Sequence, residues 1–106
     1  MTAACIFVLA AGLAAADSNC PVIPGRYFLG FETSYIVPET GKFRGREIWV
    51  ENSNKLDERF KGTGQNGRWK SAKVEIKGCV KAGRFGALGA YSLSIGSFDI
   101  VKFRAR

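Results

Sequence analysis

Any chemistry in this 106-residue chain has to be done without histidine. No imidazole is present to act as a general base near neutral pH or as a transition-metal ligand, so histidine-based catalysis is excluded. Cysteines stand at Cys5, Cys20 and Cys79. The last two match no zinc spacing, and once bonded they offer no nucleophile. A sugar hydrolase needs two carboxylates across a glycosidic bond. Pairs such as Glu32 and Glu47 keep that remote alternative open, beside the plainer reading of surface charge near Arg46 and Lys73. The run Gly62-Thr63-Gly64-Gln65-Asn66-Gly67 is a false dinucleotide fingerprint, with its last glycine misplaced and no helix after it. The expectation is a non-enzyme without metal or cofactor.

What survives is a set of basic and aromatic clusters: Lys42-Phe43-Arg44, Arg68-Trp69-Lys70, Arg84-Phe85 and Lys102-Phe103-Arg104. Cations hold phosphates or carboxylates, while aromatic faces stack on bases or sugar rings. The first three clusters are the expected ligand contacts. Alternating basic and apolar residues also describe any half-buried strand, which accounts for Lys102 to Arg104. Sixteen basic against nine acidic side chains leave a net charge of +7, which favours an anionic polymer or envelope surface: acidic polysaccharide, peptidoglycan, nucleic acid or lipid head groups. The alternatives are charge that serves solubility alone and a structural envelope component without a small ligand.

Residues Ile6 to Ala16 form an uncharged apolar run, with small Ala14 and Ala16 where signal peptidase reads them and Asp17 as the first charge. The run is too short to span a bilayer. It predicts a signal peptide over 1–16, a single domain over 17–106, and a secreted or periplasmic location. No Lys or Arg precedes the run, and a buried N-terminal strand or helix is the competing reading. Cys5 would leave with the signal peptide. Cys20 and Cys79 would then meet an oxidising compartment, where two cysteines usually pair. That bridge closes a loop of about 60 residues, worth roughly 4 kcal/mol in the chain-entropy model. A domain of about ninety residues buries only roughly 60 to 65% of its unfolded surface and gains from such a staple. Strict alternation points Cys79 outward, within reach of an extended lead-in over 17–25. A bulge at Gly78 would instead turn it inward and leave Cys20 unpaired.

The elements that must position these residues are mostly strands. Between Arg26 and Val37, Tyr27, Leu29, Phe31, Tyr35 and Val37 share one face, which predicts one long strand bending at Gly30, with Phe28 and Ile36 breaking its polar side. A second strand over 46–51 turns Ile48 and Val50 inward and Trp49 outward, as a binding aromatic or, preferably, as cover. Ser53 is placed to cap a short helix from Asn54 to Lys61, with Leu56 and Phe60 on one side and Gly62 as the stop. Lys73 to Cys79 alternates as a third strand, and Gly83, Gly86 and Gly89 supply a turn. Tyr91 to Ile95 is a fourth strand, Gly96-Ser97 a reversal, and Phe98 to Ala105 a fifth. A phase change near Ile100 predicts a bulge.

Five strands of this kind, the Lys73 to Cys79 strand ending at a glycine, and the turn Gly-Arg-Phe-Gly-Ala-Leu-Gly-Ala-Tyr over 83–91 resemble an OB-fold across Arg26 to Arg106. The 83–91 segment also resembles small exported bacterial proteins of unknown function with an OB-like barrel. The resemblance implies a mainly β fold, a small five-stranded antiparallel barrel with one short helix; the clusters make a binding domain the expectation, and a monomer is expected. It also implies a helix between the third and fourth strands, whereas the reading above puts it between the second and third. A half-open β-roll or small sandwich is the alternative fold.

Overall fold

The computed structural model describes residues 19–65 and 67–105. The expected signal peptide over 1–16 lies outside the described residues. The chain runs as β1 (Val22–Gly30), β2 (Thr33–Pro38), β3 (Ile48–Val50), α1 (Asn54–Glu58), β4 (Lys70–Phe85), a 3-10 turn (Ala87–Gly89) and β5 (Tyr91–Ala105). The strands close into a barrel in the order β1-β2-β3-β5-β4. Neighbours are antiparallel except β3 and β5, which run parallel, so the sheet is mixed rather than purely antiparallel. Mainly β, closed, five-stranded and with one short helix, the fold is compatible with an OB-like barrel.

The strand count agrees with expectation, but the predicted first, third, fourth and fifth strands are drawn differently. The long first strand is a hairpin: Gly30 pairs with Thr33, and Phe31-Glu32 forms the turn. Glu32 sits at φ 52, a left-handed conformation that periodicity does not announce. Turning there resets the alternation. Tyr27 points inward before the turn and Ser34, Ile36 and Pro38 after it, so Tyr35 and Val37 change sides and Phe31 is left 73% exposed. The predicted fourth and fifth strands are one strand, β5. Gly96-Ser97 is not a reversal but a bulge, since Gly78 pairs with Phe98 and Val80 with Ile95. The bulge expected near Ile100 is present: the partner jumps from Lys102 to Ile100 between Glu75 and Ile76, leaving Val101 as the extra residue. With the first strand split, α1 falls between β3 and β4, where an OB-like fold has it. Likewise β4 continues past Cys79 to Phe85, and the turn tightens to Gly86–Ala90.

The core fills the barrel with Tyr27, Ile36, Ile48, Val74, Ile76 and Ile95, all essentially inaccessible. Five residues are too few for a helix to persist on propensity. Side chains hold it instead. Leu56 on α1 and Phe60 just beyond it enter the core, and Phe60 stacks on Tyr27 with centroids 6.2 Å apart. The Tyr27 hydroxyl donates to Asp57 Oδ1 at 2.8 Å and shares a 2.7 Å hydrogen bond with Ser34 Oγ. Ser53 forms no capping bond to the backbone; its hydroxyl donates to Asp57 Oδ2 at 3.1 Å. Cys20 and Cys79 are bonded, with Cα atoms 4.9 Å apart. Cys79 points outward, as alternation requires, but from the middle of β4 rather than a strand end. Beside it the Gly78 N–H donates to the Pro21 carbonyl at 3.2 Å, and a Cβ on Gly78 would stand 2.7 Å from the Ser97 carbonyl oxygen.

Candidate binding face

Four aromatic side chains from four strands line up on the outside of the barrel. Phe28 on β1 faces Tyr35 on β2 in register, and their rings stack at 5.1 Å and 26°. Tyr35 in turn faces Trp49 on β3. Tyr91, at the start of β5, closes the row, 5.9 Å from Tyr35 and 5.2 Å from Trp49. All four are half-buried. Cross-strand aromatic pairs of this kind stabilise a sheet. The Tyr91 and Thr33 hydroxyls are 3.3 Å apart, which ties the β4–β5 end of the row to the β1–β2 hairpin. Gly86 makes room for it: at φ 76, its missing Cβ would lie 2.7 Å from the Tyr91 ring and 2.9 Å from Trp49. Burial, then the Glu47 carboxylate and Tyr91, push the Tyr35 hydroxyl above its ordinary pKa, so it stays a neutral donor.

Cations border this row. Arg46, just before β3, donates to Ser92 Oγ at 3.4 Å. Phe85 pairs in register with Tyr91, and Lys81 lies over the Phe85 ring at 5.6 Å while also facing Glu51 at 3.7 Å. Arg84, next to Phe85 in the chain, is exposed. The chain matches no protein-family model, no curated protein and no solved structure. What the face can do therefore rests on its own geometry. Among the described residues no group of acidic, cysteine or histidine side chains could hold a metal ion, and no helix is long and apolar enough to cross a membrane.

The predicted clusters occupy three places rather than one. Lys42, Phe43 and Arg44 lie on the β2–β3 loop. Phe43 packs against the core with Lys42 over its ring at 5.4 Å, beside a 380 Å³ groove shared with the disulfide. Arg68 and Trp69 precede β4. The Trp69 ring, 60% exposed, covers Gly30, whose Cβ would fall 2.4 Å from it, so Gly30 serves ring contact and not bending. Lys70 lies over the Phe60 ring at 5.9 Å. Arg84 and Phe85 stand at the other end of β4, and of the three clusters only theirs adjoins the aromatic row. Phe103 is half-buried and packs against the core, edge-on to Phe60 at 5.0 Å. Sequence reasoning passed over Phe28, Tyr35 and Tyr91 because each looks like an ordinary strand apolar. Their one trace is Phe28 breaking the polar side of β1.

Proposed function

We propose that this chain is an exported, non-catalytic binding domain for an anionic polymer. Rings of the ligand stack on Phe28, Tyr35, Trp49 and Tyr91, and its charges meet Arg46, Arg84 and Lys81. The observation that carries this reading is the unbroken, partly exposed aromatic row on the outside of a closed barrel, because a face needed only as cover gains little from keeping four aromatic residues partly accessible. The net charge supports an anionic partner, and the disulfide fits an oxidising compartment outside the cytoplasm.

The test titrates a single-stranded oligonucleotide, heparin and anionic vesicles at low salt, following binding by isothermal titration calorimetry so that the same readout serves every variant. Stacking is worth about 1–3 kcal/mol per ring. Trp49→Ala or Tyr35→Ala should therefore weaken binding by roughly one to two orders of magnitude without unfolding the barrel, and affinity should fall steeply with added salt. Absence of binding to all three probes at low salt removes the proposal and leaves a structural envelope component.

A further inference from the structure

Round the barrel from the aromatic row, the outer face of β1, β4 and β5 carries a charge pattern that breaks its own rule. Lys77 faces Asp99 and Glu75 faces Lys102, each cation opposite an anion. In the next row Arg26 faces Lys73, and Lys73 faces Arg104. Three cations thus stand side by side on adjacent strands, where like charges directly opposite destabilise a sheet. Arg26 donates to Ser71 Oγ at 3.5 Å, and Glu39, from the loop after β2, reaches Lys73 at 3.6 Å. A cleft of about 480 Å³ at the Lys73–Arg104 end of this row is lined by Lys73, Lys102 and Arg104 together with Glu39, Glu75 and the half-buried Phe103.

We infer that this cleft binds the tetrahedral oxyanion of a phosphate or sulfate ester, held by Lys73, Lys102 and Arg104. The negative charge of the ester oxyanion relieves the repulsion along the row, and the planar guanidinium of Arg104 gives two parallel donors for it. The site is separate from the aromatic face, so loss of polymer stacking in Trp49→Ala leaves it intact. The experiment titrates the folded protein with inorganic phosphate and, separately, inorganic sulfate at constant ionic strength, following backbone amide shifts by NMR. Saturable shifts centred on Lys73, Lys102 and Arg104 are expected, and the tighter ion identifies the ester. Removing one unit charge about 4 Å from a doubly charged ion in water-like surroundings changes affinity about thirtyfold. Lys73→Gln and Arg104→Gln should each weaken binding by that factor, while Glu39→Gln tightens it. Lys42→Gln and Glu58→Gln, which alter the same net charge outside the cleft, should change nothing. In chloride alone Arg104→Gln should raise Tm, since it relieves the like-charge row. Non-saturable shifts for both ions, or equal effects from variants inside and outside the cleft, overturn the site.

Discussion

Replacing Tyr27 by Phe removes one oxygen from the middle of the barrel and leaves the ring on Phe60. Tyr27 is fully buried, and its hydroxyl bonds Asp57 Oδ1 and Ser34 Oγ. A hydrogen bond to a charged acceptor contributes about 1.5–3 kcal/mol and a neutral one about 1 kcal/mol. Asp57 keeps the Ser53 hydroxyl and is partly exposed, so water recovers part of the loss. The net cost is about 2 kcal/mol, which for a domain of this size lowers Tm by roughly 10 °C. Urea titration at neutral pH reads it directly. The same substitution has a signature in alkali. Burial above all pushes the Tyr27 hydroxyl well above its ordinary pKa, so the folded protein holds this proton more tightly than the unfolded chain does. Its contribution is complete below the unfolded value of about 10 and is lost as pH rises through the higher folded value. Stability of the native protein should fall above about pH 10, and Tyr27→Phe should flatten that fall. The part due to Tyr35, whose hydroxyl is also raised, should persist in both. A cost under about 0.5 kcal/mol with unchanged alkaline slope would refute the account of how α1 is held.

Reduction or Cys79→Ser should destabilise the domain by up to about 4 kcal/mol, the chain-entropy value for a loop of this length; thermal melts with and without reductant measure it. Mass spectrometry of non-reduced protein exported by its host should show the Cys20–Cys79 bond and no free thiol. N-terminal sequencing of that material should begin at Asp17, and Met1 on most of it would reject export.

How much could be read from the chain depended on whether the signal was local. Alternation within Lys73 to Ile76 and within Ile48 to Val50 named core residues that are buried, because a strand with one wet face declares its period residue by residue. The mainly β class, the short helix with Leu56 and Phe60 turned inward and the bulge near Ile100 followed in the same way, whereas the pairing of Cys20 with Cys79 followed from the oxidising compartment that the Ile6 to Ala16 run implied. Turn placement did not follow. Nothing in Phe31-Glu32 resembles turn chemistry, since the chain reverses by holding a glutamate at positive φ, and only pairing along both β2 and β4 compensates that strain. Gly96-Ser97 has turn residues yet stays in a strand, because β4 lies opposite and absorbs the extra residue as a bulge. The aromatic row and the cation row lie further from the sequence still. Each is a line perpendicular to the strands, with members from residue 26 to residue 104, and register across the closed barrel decides which side chains stand next to one another. Composition supplied the positive charge and the rings; the tertiary structure alone arranged them into two faces.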